Sequence, residues 1–171
     1  MDSIKITKRA MMFIDGANIF HGCRNFRAGY KIDYVKLRNE LIKDYDLIRA
    51  YYYEGIDPTD KSQRSFHKAL RMQGFHVETR PLVKRDWEQK LKEKGVDVML
   101  ATELLTHAFK DNFDVAIIVS GDQDYIVALR EVKREGKQIV LACFKNSFSN
   151  VIQEIADESI LIDDIADKVE R

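Results

Sequence analysis

This sequence lacks most of the features that assign a protein class at a glance. It has no excess of charge, since 28 Lys and Arg are matched by 28 Asp and Glu. No global field therefore draws it to nucleic acid or keeps it away, and an anionic ligand must be met by a local patch. Cysteine is scarce. Cys23 and Cys143 stand alone, and with no secretory h-region at the start they read as reduced thiols of a cytoplasmic protein. No apolar run nears the roughly 20 residues that a bilayer crossing needs, so a soluble protein with no membrane partner is expected. The four histidines are scattered, with no close His or Cys pair at zinc spacing, and no zinc site is expected. Linkers, internal repeats and low-complexity tracts are also missing, so residues 1–171 are expected to form a single domain.

What is present is a chain of 171 residues, 45% apolar, long enough to bury a substantial core. Short apolar runs alternate with amphipathic stretches. Strands are expected at 10–15, 47–54, 75–81, 115–120, 138–144 and 159–162, each of strand length and bounded by polar or turn residues. Helices are expected at 33–45, with Asp33 as cap, at 57–72, opened by Asp57-Pro58 and closed by Gly74, at 97–111, at 124–136 and at 147–156. The charged stretch 82–95 reads as an exposed hairpin, a loop or a short helix. This alternation predicts an α/β fold, a three-layer α/β/α sandwich with a mainly parallel central sheet. In such sheets ligands sit beyond the carboxyl ends of the strands, where strand order reverses.

That rule gives meaning to 117-IIVSGDQDYIVAL-129, where a buried strand surfaces into two acids one residue apart. Asp15 ends the first strand, and Asp122 and Asp124 follow 115–120, so all three belong to one edge of the sheet. Asp97 opens a helix that must run back from the same edge. Singly, Asp97 or Asp122 is an ordinary helix cap and Asp15-Gly16 an ordinary turn. Together, four acids in one cleft would repel each other unless a cation joined them. All-oxygen ligation suits Mg²⁺ or Mn²⁺, which can polarise a phosphoryl oxygen and lower the pKa of a bound water. Ser120 adds a hydroxyl, and the backbone N–H groups after Gly121 could meet a phosphate or a ligating carboxylate.

The segments 14-IDGANIF-20, 94-KGVDVMLATEL-104 and 119-VSGDQDYIVALREVKREGKQIVL-141 resemble the NYN domain in its LabA-like branch, within the PIN-like superfamily of metal-dependent nucleases. The resemblance implies a PIN-like, Rossmann-like sandwich and Mg²⁺- or Mn²⁺-dependent ribonuclease activity. Carried over by position, it implies an active site of Asp15, Asn18, Asp97, Asp122 and Asp124. Asp15, Asp97 and Asp122 would hold the metal, Asp124 would complete the acidic rim, and Asn18 would orient a carboxylate or touch the phosphate. Lys94 and Arg24, beside the motifs, are candidate substrate contacts together with Ser120. The stretch with Lys84, Arg85, Trp87, Lys90, Lys92 and Lys94 offers charges and an aromatic face for single-stranded RNA, although with Asp86, Glu88 and Glu93 interspersed an ordinary exposed segment is the better reading. Cys143 and Cys23 read as small apolar residues rather than nucleophiles.

Two other readings remain open. One is a catalytically weak RNA- or protein-binding regulatory module that keeps the fold. The other, a phosphatase with Asp15 as covalent nucleophile, is disfavoured because Gly16-Ala17-Asn18 supplies no second acid two residues on. A homodimer that faced its clefts together would lengthen the binding groove.

Overall fold

The computed structural model describes residues 7–84 and 91–171. Six strands, β1 (Lys8–Asp15), β2 (Tyr45–Ile56), β3 (Phe75–Pro81), β6 (Val115–Val119), β7 (Gln138–Cys143) and β8 (Glu158–Leu161), form one sheet in the order β3-β2-β1-β6-β7-β8. Every neighbouring pair is parallel. Val115 to Val119 is buried throughout, as a central parallel strand covered on both faces requires.

Side chains alternate between two cores. Ala10, Met12, Ile14, Tyr52, Ile117 and Val119 pack on one face of the sheet, under α1 (Gly16–Phe26), α2 (Tyr34–Leu41), α3 (Lys61–Met72) and α7 (Ile162–Val169). Met11, Phe13, Tyr51, Tyr53, Ile118 and Leu141 pack on the other, under α4 (Val96–Phe109), α5 (Ile126–Arg134) and α6 (Asn150–Gln153). The result is the three-layer α/β/α sandwich that the alternation of elements predicts.

Several boundaries move for identifiable reasons. The pattern assigns no element to the residues after the first strand, yet they form α1, because the Asp15 side chain accepts from Asn18 N and caps it while Ile19 and Cys23 face inward. Helix α3 starts at Lys61 rather than at Asp57-Pro58. The carboxylate of Asp60 captures the amides of Ser62 and Gln63, at 2.8 and 3.0 Å, while Asp57 closes a separate turn on Thr59 N. Asp124 lies within a 3-10 turn, Gln123–Tyr125, capped by Asp122, and α5 follows it. The helix expected at 147–156 shrinks to α6, capped by Ser149 after a 3-10 turn at Lys145–Ser147. Helix α7 is also absent from the sequence expectation. Within 82–95 the chain doubles back, pairing β4 (Val83–Lys84) antiparallel with β5 (Leu91–Lys92).

Among the described residues no helix is long and apolar enough to cross a membrane. Both cysteines are free and buried, and burial pushes the thiol of Cys23 up to about 11 and that of Cys143 up to about 12. Neither is a thiolate at neutral pH.

Candidate metal centre

Strand order reverses between β1 and β6, whose register pairs Ile14 with Val119. The next residues of the two strands, Asp15 and Ser120, therefore meet at the carboxyl edge. Asp15 is 7% exposed and held by three donors. Its Oδ1 accepts from Asn18 N at 3.0 Å, and its Oδ2 accepts from Ser120 Oγ at 3.2 Å and from the Tyr125 hydroxyl at 3.0 Å. Gly16 lets this turn form, since a Cβ there would strike the Tyr52 hydroxyl and stand 2.9 Å from Tyr53 O.

The opposing turn is braced just as closely. Gly121 N donates to Asn18 Oδ1 at 3.1 Å, Asp122 N to Ser120 Oγ at 3.2 Å, and Asp124 N to Asp122 Oδ1 at 2.9 Å. Asn18 and Ser120 thus tie the β1–α1 turn to the loop after β6. Ser120 is fully buried, which removes it from direct contact with a substrate and gives its hydroxyl a bracing role.

Above this floor lies a cleft of about 320 Å³, lined by Asp15, Ala17, Asn18, His21, Glu93, Gly95, Asp97, Asp122 and Tyr125. The structure therefore brings Asp15, Asn18, Asp97 and Asp122 together. It leaves Asp124, Lys94 and Arg24 exposed and outside the lining. Of the expected basic patch, Arg85, Trp87 and Lys90 lie outside the described residues, while Lys84 and Lys92 end the two hairpin strands.

Of the acids and hydroxyls in the lining, Tyr125 and Glu93 are the two that the sequence reading did not place in the site. Tyr125 was legible in principle: Tyr125, Leu129 and Val132 form one buried helical stripe, and a buried tyrosine tip needs a partner, which in a Ser-Gly-Asp-x-Asp context is an acid. Glu93 carried no such signal, because only the return of the hairpin seats it here, with Oε2 accepting from Gly55 N at 2.6 Å.

The electrostatics of the cleft are one-sided. Burial pushes the Asp15 carboxyl up, its three hydrogen bonds oppose this, and Asp122 adds to the rise. Burial likewise raises Glu93, despite its bond to Gly55 N, with Asp15, Glu54 and Asp97 contributing like charge. The Tyr125 hydroxyl is raised by burial first and then by Asp15, which keeps it a neutral donor. Among the described residues of the lining, His21 is the sole basic side chain.

An all-oxygen set of mutually repelling carboxylates suits a hard divalent cation. Among the described residues no three His, Cys, Asp or Glu side chains are grouped to hold an ion by themselves.

The model of the NYN domain matches residues 9–163. The chain belongs to the NYN domain family. It is thus PIN-like, as its motifs and its sheet order both indicate. An uncharacterized protein of the archaeon Methanocaldococcus jannaschii is 29% identical over 154 residues, covering 90% of this chain. The NYN chain spans 55% of that relative's length. A crystal structure of a protein of unknown function from Vibrio parahaemolyticus superposes over 100% of both chains with a TM-score of 0.80 at 25% identity.

Proposed function

We propose that this NYN domain, of LabA-like type, is a cytoplasmic metal-dependent ribonuclease that hydrolyses RNA phosphodiester bonds. The observation that carries the reading is the convergence of Asp15, Asp97, Asp122 and Glu93 on one cleft at the strand-order reversal, with no lysine or arginine among the described residues of its lining. Asp15, Asp97 and Asp122 would hold Mg²⁺ or Mn²⁺, directly or through water, with Asp124 at the acidic rim. When bound, the ion supplies a polarised phosphoryl oxygen and a water of lowered pKa.

The chain's own contribution is positioning. Asn18 N, Ser120 and Tyr125 fix the Asp15 carboxylate in one orientation at the lining of the cleft, so little further ordering is needed when it engages a ligand. Asn18 and Ser120 also hold the turn that carries Asp122. Hydrolysis by a metal-activated water would leave a 5′-phosphate. A regulatory module without significant turnover is the second reading, favoured by the lack, among the described residues, of a ready three-residue chelate.

The test is cleavage of end-labelled single-stranded RNA with Mn²⁺, Mg²⁺ or EDTA, beside Asp15→Asn and Asp122→Asn. Metal-dependent products that vanish in both variants are expected. Products that persist in the variants sink the carboxylate assignment, and a complete lack of cleavage with either metal transfers the lead to the binding module.

A further inference from the structure

Helix α1 carries more than the floor of the cleft. Ala17, Asn18 and His21 line it, and beside them Phe20 is 54% exposed. The ring of Phe20 meets that of His21 edge-on, with centroids 5.7 Å apart and planes at 69°. The Arg24 guanidinium lies over the same ring, 5.8 Å from its centroid. A phenylalanine, an imidazole and a guanidinium are thus contiguous on α1 at the rim of an acidic cleft, His21 being the one of the three that lines it.

Charge explains why such a ledge would be needed. Among the described residues of the lining, four carboxylates repel a polyanion and His21 is the sole basic side chain beside them. A strand must therefore be gripped at the rim. Arg24 supplies a cation on α1 outside the lining, next to Phe20. On the wall formed by residues 93–97, the exposed Arg80 donates from Nη1 to Gly95 O at 3.3 Å, which places a second guanidinium beside a lining residue. Guanidinium and aromatic planes accept the faces of unpaired bases, and a guanidinium keeps donors for a neighbouring phosphate. In a duplex those base faces are already stacked and unavailable.

We infer that Phe20, His21 and Arg24 form a base-stacking ledge that selects unpaired nucleotides, seating one base on Phe20 and its phosphate at the cleft. The inference rests on the nuclease reading only in treating the bound strand as substrate. Binding can be measured without turnover, so the two fail separately.

The experiment is fluorescence anisotropy in EDTA with a short labelled single-stranded RNA, its duplex, and the same strand with abasic sites. Wild type is compared with Phe20→Leu and Phe20→Trp, all of which should fold alike because the side chain is exposed. Loss of one stacked base should weaken single-strand binding of Phe20→Leu by about tenfold, with Phe20→Trp near wild type and the duplex bound weakly by all three. The abasic strand should bind wild type and Phe20→Leu equally, which a purely structural role for Phe20 would not produce. Equal affinity of wild type and Phe20→Leu for the intact strand, equal affinity of wild type for strand and duplex, or no binding by wild type overturns the proposal. Failure of cleavage with this binding pattern intact sinks only the nuclease reading.

Discussion

Asp15 combines two demands that conflict. It caps α1, which any short polar side chain could do, and it keeps a buried carboxylate among other acids, which stability alone would not select. Because folding raises its pKa, the folded state binds the proton more tightly than the unfolded chain does. Ionised Asp15 therefore costs stability above its unfolded value of about 3.9, and the cost disappears as pH falls below that value. Asp15→Asn should accordingly melt higher than wild type at neutral pH in metal-free buffer, with the gap closing in acid, since the hydroxyls of Ser120 and Tyr125 can reorient toward an amide. Added Mn²⁺ should raise the melting temperature of wild type and leave the variant unmoved. Turnover should fall by more than the roughly 10–100-fold that follows from disturbing a metal ligand's support. Thermal melts at several pH values, with and without Mn²⁺, check the stability arm, and a variant that melts lower at neutral pH refutes it.

Among the elements, β1 and β6 decide where the site lies, and a polar clasp fixes their far ends. Arg9 N and Nε donate to Asp114 Oδ2 at 2.9 and 3.2 Å, and Arg9 Nη2 to Oδ1 at 2.9 Å. The hydrogen bonds from Arg9 hold the Asp114 carboxyl below its ordinary value. Its contribution is therefore complete above the unfolded value of about 3.9 and is lost as pH falls through the folded one, opposite in sign to Asp15. Denaturant midpoints followed from about pH 6 to about pH 3 should decline less steeply in Asp114→Asn than in wild type, and an unchanged slope would count against the clasp. The six strands were legible because each is a short apolar run with clear borders, and the acids because they sit where those runs stop. Helix α1 was not, since the residue that caps it reads first as a site acid and its buried face, Ile19, Gly22 and Cys23, is sparse. Glu93 was illegible because a charged segment has no periodicity that says which of its acids faces the cleft.

The whole molecule is electrically neutral, and that limits how it can hold RNA. A strongly basic domain gains affinity by releasing many counterions, whereas among the described residues Arg24, Arg80 and Lys94 are the cations that adjoin lining residues, and four carboxylates oppose them. With about three phosphates neutralised, the slope of log K against log salt for a single strand should be near −2, and Arg24→Gln should reduce its magnitude by about 0.7. Anisotropy titrations over a range of KCl concentrations measure both values. A much steeper slope would mean that the strand leaves the cleft for a larger basic surface. A slope near zero would mean that base stacking on α1 carries almost all of the binding, so that selectivity would follow unpaired structure rather than charge.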